Sequence, residues 1–127
     1  GVGRSEVLLA ETSSIGVMML SGKSDDEVRD IYRTRPVGGY FGNIEKLLEK
    51  LAEVREKGYC VIDSSSDRKY VSMAVTVGRP ALGALAFSSI LQEDAEEKIE
   101  LLLQKAADID YRIENTKMEK QRYVLQG

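Results

Sequence analysis

The chain has 127 residues, a formal net charge of -3, one Cys and no His. That length fits a single domain with a hydrophobic core, and 43% hydrophobic with 31% charged residues argues against disorder. The absence of His excludes a Ser-His-Asp or Cys-His nucleophile system and a His-ligated metal, and a single Cys excludes an internal disulfide. The composition therefore favours a binding domain over an enzyme, and we expect neither a metal nor a cofactor.

The charge pattern argues against direct contact with nucleic acid. Basic residues are interleaved with acidic ones, as in KMEKQR near the end of the sequence, whereas a nucleic-acid surface needs clustered Lys and Arg. No run approaches the ~20 apolar residues of a membrane span, and the sequence has no signal-peptide pattern. We therefore expect a cytoplasmic protein without membrane contact.

The chain starts with a predicted strand and a predicted buried helix. Residues 7–10 form a short apolar run that suits a strand. Ser13 or Ser14 then precedes an apolar run to Leu20, which suits a Ser-capped helix with almost no polar face. Free N–H groups at such a helix start can hold an anion almost without side chains, and plain capping explains the same residues.

Two further helices are predicted before the strands begin. Ser24 and Glu27 form a capping box, which predicts a short helix to Tyr32. A loop with one Pro and three Gly follows. Asn43 then caps a helix whose apolar residues recur at helical spacing until Gly58, a typical glycine after a helix end.

The rest of the chain predicts three strands and a long helix. Residues 59–63 are β-rich, and residues 70–77 alternate between two faces. Gly78-Arg79-Pro80 predicts a tight turn into a strand over residues 81–89, so the last two strands form an antiparallel hairpin. An amphipathic helix extends over about residues 92–118.

This order of elements predicts an α+β fold, with an antiparallel sheet backed by helices. Three strands and one short fragment make a small sheet. The chain is therefore expected either to lack an N-terminal part of the sheet or to complete the sheet with another strand.

Polar side chains on the predicted strands are candidate site residues. Hydroxyl groups occur on adjacent strands at Ser72, Thr76, Ser88 and Ser89, and a hydroxyl on the inner face of a sheet needs a partner. That partner is either a small polar ligand or a backbone carbonyl, and spacing alone does not decide between them. Cys60 lies in an apolar run without a neighbouring base, which favours a small buried side chain over a nucleophile.

The order of these motifs resembles a known family. An S-x-x-G helix start is followed by an S-D-D-E-V helix, V-R-E-K-G-Y at residues 54–59, an S-M-A-V-x-V strand and an A-L-G-A-L-A-F-S-S strand. A long amphipathic helix completes the pattern. Over residues 2–112 the chain resembles the C-terminal effector-binding domain of IclR-type transcriptional regulators.

The resemblance implies a GAF-like antiparallel sheet packed with helices, N-terminally truncated relative to the family. Residues 1–127 would form the effector-binding domain or its C-terminal part, with no DNA-binding domain in this chain. The resemblance also implies a homo-oligomer, either a dimer or a tetramer. DNA would be bound only through an N-terminal winged helix-turn-helix outside this sequence.

The resemblance further implies where a small-molecule effector binds. In similar proteins, small acids such as pyruvate or glyoxylate are held by backbone amides at the S-x-x-G helix start and by side chains on the following strands. Carried onto this sequence, these positions are Ser14, Ile15, Gly16, Ile62, Ser72, Phe87 and Ser89. Ile62 stands where an acidic residue is frequent, and Phe87 stands where some members have a hydroxyl. Both differences favour a carboxylate with an apolar body over a small keto acid.

Other functions remain open from the sequence alone. The chain could be a stand-alone GAF-like sensor, or a structural oligomerisation domain whose pocket is filled by its own side chains, such as Phe87 and Met18. An enzyme is the weakest alternative, because acid–base chemistry would depend on Asp and Glu residues placed mainly on exposed helices.

Overall fold

The computed structural model places a three-stranded antiparallel sheet between two layers of helices. It describes residues 13–38, 41–64 and 66–126, with side chains up to residue 122, so the predicted strand at 7–10 lies outside the described residues. In chain order the elements are α1 (Ser14–Leu20), α2 (Asp25–Ile31), α3 (Ile44–Lys57), β1 (Cys60–Asp63), β2 (Tyr70–Val77), β3 (Gly83–Leu91), a 3-10 turn (Gln92–Asp94) and α4 (Ala95–Gln126).

Side-chain caps start the first three helices where the sequence predicts them. The Ser13 hydroxyl accepts a hydrogen bond from the Gly16 amide at 3.0 Å, and Asn43 accepts one from the Lys46 amide at 2.9 Å. Both halves of the capping box of α2 are formed. Gly58 ends α3 at φ 82°, a backbone conformation that favours glycine.

The sheet has the order β1-β2-β3, which confirms the predicted hairpin. β3 begins at Gly83 and not at residue 81, because the Leu82 amide donates to the Val77 carbonyl at 2.8 Å and keeps Leu82 in the turn. The fold class is α+β, as predicted.

The alternation of β2 separates two hydrophobic cores. Its odd-numbered residues Val71, Met73 and Val75 pack with Ile99, Leu102 and Ala106 of α4. Its even-numbered Ala74 lies in the other core, together with Cys60 and Ile62 of β1 and residues of the first three helices. Because β2 is covered on both faces, a side chain's position along this strand decides which helical layer it meets.

The long helix α4 packs on the sheet through its first half only. Its buried residues are Ile99, Leu102 and Ala106. Asp110 then accepts a hydrogen bond from the Gly78 amide, with 2.6 Å between Oδ1 and N. From Tyr111 to Arg122 every described side chain except Ile113 is exposed.

Arg55 joins the end of α3 to the connection between α1 and α2. Its guanidinium donates to the carbonyl oxygens of Ser21 at 2.9 Å and Lys23 at 2.7 Å. It also binds the Asp25 carboxylate at 3.0 Å. The planar fork of the guanidinium serves three acceptors at once, which the single ammonium group of Lys cannot reproduce.

We expect Arg55→Ala to lower the free energy of unfolding by about 1.5–3 kcal/mol, because two backbone carbonyls and a carboxylate lose their donor. Arg55→Lys should recover less than half of that loss. Arg33→Ala is the matched control, since Arg33 forms one exposed ion pair with Asp30 and should cost less than about 0.5 kcal/mol. Urea denaturation followed by circular dichroism measures all three; equal losses for Arg55→Ala and Arg33→Ala would contradict this role.

Candidate functional site

A break in the β2–β3 ladder marks the candidate effector site. Val71 pairs with Ile90 and Met73 pairs with Phe87, so Ser72 faces two residues, Ser88 and Ser89. Such a bulge interrupts the ladder hydrogen bonds and redirects side chains. Ser89 has φ 56°, a conformation uncommon outside glycine. The irregular backbone thus coincides with three of the hydroxyl groups that the sequence singles out.

Ser72 and Ile62 are direct cross-strand partners on β2 and β1. Their face is the one that α1 covers, because Val17, Met18 and Ile62 share one hydrophobic core. Ile62 is buried, whereas Ser72 is half-buried and Ser89 is exposed. The structure therefore brings Ile62, Ser72 and Ser89 together around the ladder break, with an apolar wall beside two hydroxyl groups.

The start of α1 supplies the backbone part of the predicted site. Ser14 is buried, with 6% of its surface exposed, while the Ile15 side chain is exposed. The Gly16 amide is already bound to the Ser13 hydroxyl. The amides of Ser14 and Ile15 are first-turn donors without an acceptor inside the helix, so they are better placed than Gly16 to meet an anion.

Phe87 does not lie with the other predicted site residues. It pairs with Met73, and its side chain packs in the core between the sheet and α4, where the Lys98 ammonium lies 6.0 Å from its ring centroid. This is the opposite face from Ile62 and Met18. Phe87 and Met18 therefore do not fill one pocket together, as the purely structural alternative assumes. Phe87 was assigned to the site through the resemblance, and the pairing of β3 with β2 places its side chain on the face away from Ser72.

A cavity of about 480 Å³ lies at the other end of β2 from Ser72, where no site is predicted from the sequence. Thr76, Gly78 and Arg79 line it from the strand end and turn, and Met18 and Leu103 line it from α1 and α4. The turn is held against α4 by the bond from the Gly78 amide to Asp110. Two sequence signals lie beside this cavity, the Thr76 hydroxyl and the turn at Gly78-Arg79-Pro80, and neither indicates which helices pack next to them.

Cys60 is fully buried in the core below the candidate site. Burial raises the pKa of its thiol to about 11, against a contribution from Lys50 that lowers it. Thiols react as thiolates, so this Cys is inert near neutral pH. The prediction of a small buried side chain is confirmed.

Known proteins share this arrangement of sheet and helices. No protein-family model matches the sequence, and no curated protein sequence matches it. Solved structures do match. An IclR homolog from Microbacterium sp. strain HM58-2 has a TM-score of 0.68 at 22% identity, over 83% of this chain and 46% of that one.

Two further matches were solved with bound ligands. An IclR homolog from Microbacterium hydrocarbonoxydans in complex with 4-hydroxybenzoate has a TM-score of 0.66 at 25% identity, over 80% of this chain and 45% of that one. The inducer-binding domain of a double mutant of the PobR transcription factor from Acinetobacter, in complex with 3-hydroxybenzoic acid, has a TM-score of 0.61 at 17% identity, over 80% of this chain and 65% of that one.

This chain has the fold of the IclR-type effector-binding domain. The resemblance stated from the sequence is confirmed, and it lies mainly in the C-terminal, effector-binding part of those regulators. Two of these matched proteins are IclR homologs, and the third is a domain of a transcription factor. This chain spans about half the length of the two Microbacterium regulators, at 46% and 45%. Within the described residues, no helix is both long and apolar enough to span a membrane.

The raised pKa of Cys60 predicts a specific pH dependence. The thiol ionises near its ordinary pKa of 9.0 when exposed in the unfolded chain and at about 11 in the fold. Its stabilising contribution is therefore complete below pH 9.0 and is lost as pH rises to about 11. We expect urea midpoints to fall more steeply over this range in the parent protein than in Cys60→Ala, and Ellman's reagent to react only after unfolding. Rapid modification of the native protein at neutral pH would contradict the burial argument.

Proposed function

We propose that this chain is the ligand-sensing domain of an IclR-family transcriptional regulator. Its effector would be a small carboxylate with an apolar body, and the domain would control DNA binding by a winged helix-turn-helix outside this sequence. The fold supports the family-level part of this proposal. The ligands of two matched structures, 4-hydroxybenzoate and 3-hydroxybenzoic acid, are of the proposed chemical type.

The observation that carries the ligand assignment is the ladder break at Ser72. Regular sheet leaves few backbone groups for a ligand, whereas the bulge at Ser88 and Ser89 interrupts the ladder beside a half-buried hydroxyl. Ile62, directly across from Ser72, offers an apolar surface. A carboxylate would meet the hydroxyl groups and the first amides of α1, and its apolar body would pack on Ile62.

Control of DNA binding would follow from a population shift. The domain is proposed to form a dimer or a tetramer, and the effector would favour one arrangement of the subunits. The effector can shift that equilibrium only by its difference in affinity for the two arrangements. The net charge of -3 suits this division of labour, because the DNA contacts would lie on another domain.

A thermal-shift screen tests the ligand class. Hydroxybenzoates, benzoate, cyclohexanecarboxylate, pyruvate and glyoxylate form the panel, with benzyl alcohol as the uncharged control. At a hundredfold excess over Kd, a ligand stabilises the fold by about 2.7 kcal/mol, which raises Tm by about 5–10 °C. We expect the ring-containing acids to give the larger shifts. If no carboxylate shifts Tm, the sensing function is wrong for this chemical class.

Two substitutions on one strand test the location of the site. Ser72→Ala should weaken binding of an active acid about tenfold to a hundredfold, because a hydrogen bond to a carboxylate is lost. Thr76→Val is the matched control: it removes a hydroxyl from the same face of β2, at the end that lines the 480 Å³ cavity. Isothermal titration calorimetry measures both. Loss of binding in Thr76→Val with Ser72→Ala unchanged would move the site to that cavity.

A further inference from the structure

The second half of α4 lacks support from the rest of the described chain. The helix has 32 residues and is therefore about 48 Å long, of which about 24 Å follows Asp110. Ion pairs within the helix, Arg112 with Asp108 and Lys117 with Glu114, add only a few tenths of a kcal/mol each. Most helical stability in proteins comes from packing of an apolar face, and within the described chain the part of α4 after Asp110 has almost no such packing. We therefore expect the second half of α4 to pack against a partner.

One exposed apolar stripe extends along α4 beside the face that packs on the sheet. Leu103, Ala107, Tyr111 and Met118 follow at intervals of one or two helical turns, so they share one side of the helix. Leu103 is 38% exposed, Tyr111 67% and Met118 57%, and they are among the most exposed large apolar residues of the described chain. We call these four residues the α4 stripe.

Opposite charges lie at the two ends of the α4 stripe. Helical geometry places Glu96 and Glu100 before Leu103 on the same side, and Arg122 one turn after Met118. All three of these charged side chains are exposed. Within the described residues, neither Glu100 nor Arg122 forms an ion pair. The stripe therefore has an acidic start and a basic end. One further charged residue, Glu114, lies on the same side between Tyr111 and Met118 and pairs with Lys117 of its own helix.

We propose that the α4 stripe binds the same stripe of a second copy of this chain in antiparallel orientation, with the twofold axis near Tyr111. Leu103 of one copy would then pack near Met118 of the other. Glu100 would face Arg122 at both ends of the pair. The inference deepens the oligomer part of the proposed function, names its surface, and does not depend on the identity of the effector.

Charge decides the orientation of the pair. A parallel pair would put Glu100 beside Glu100 and Arg122 beside Arg122, and like charges in contact oppose association. An antiparallel pair places Glu100 against Arg122 at both ends, and it also sets the two helix dipoles in opposite directions, which is favourable. Because the arrangement is symmetric, each favourable contact occurs twice.

Sedimentation-equilibrium measurements on charge-reversal variants test the surface. Arg122→Glu and Glu100→Arg should each raise the dimer Kd about fivefold or more, since every reversal acts twice per dimer. The double variant should recover most of the parent affinity, because the opposite charges face each other again. Lys120→Glu is the control: it makes the same charge change two residues before Arg122 but points to the other side of the helix, so its Kd should stay unchanged.

Tyr111→Glu tests the apolar centre and should raise the dimer Kd about a hundredfold. Tyr111→Cys should form a disulfide between copies under mild oxidation, while Met118→Cys should not pair with itself, since the two would lie about 20 Å apart. Cys60 does not need to be replaced in these variants, because its buried thiol is not available for crosslinking. Self-pairing of Met118→Cys would overturn the antiparallel orientation.

The outcomes separate this inference from the proposed function. If the parent protein sediments as a monomer at all concentrations, the α4 pairing is wrong. The proposed carboxylate binding is then still tested by calorimetry. An oligomer that survives Tyr111→Glu and both charge reversals overturns the α4 surface but keeps the oligomer. Recovery in the double variant supports the pairing whether or not any acid binds.

Discussion

The pleat of β2 is the constraint on which the rest of the domain depends. This strand is buried on both faces, so its odd-numbered side chains hold α4 and its even-numbered side chains meet α1 and α3. A strand in this position must be apolar on both sides, and Val71, Met73, Ala74 and Val75 are all essentially inaccessible. One residue of slip would exchange the two cores, which is why the register is strongly specified.

Local rules predicted most of the fold from the sequence. The caps at Ser13, Ser24 and Asn43 and the glycine at position 58 each depend on one or two neighbouring residues, and each lies where the pattern indicates. The alternation of residues 70–77 likewise shows both faces of β2. These signals are readable because their physical cause lies within a few positions of the residue concerned.

The candidate site was predicted less completely, for the opposite reason. Whether Phe87 lies beside Ser72 depends on how β3 pairs with β2. That pairing is set by the residue at which the turn ends and β3 begins, Gly83. The bulge at Ser88 and Ser89 inserts one extra residue into β3 relative to β2, and no pattern in the sequence predicts it. The cavity beside Thr76 was invisible as well, because residues from α1, α3 and α4 form its walls together.

The proposed effector site and the proposed dimer surface are joined by the same strand. Ser72 lies between Val71 and Met73, and both of these side chains pack on the α4 face, against the layer that contains Ile99 and Leu102. A ligand that changes the backbone at the bulge must therefore move Val71 and Met73, unless the irregular part of the ladder accommodates the change. A packed core rearranges between discrete states and does not deform continuously, so we expect such a movement to change the tilt of α4 against the sheet.

In an antiparallel pair with its axis near Tyr111, a tilt of α4 in one copy requires an equal tilt in the other. A symmetric helix pair at this position would thus convert a local event at Ser72 into a change in the angle between two whole subunits.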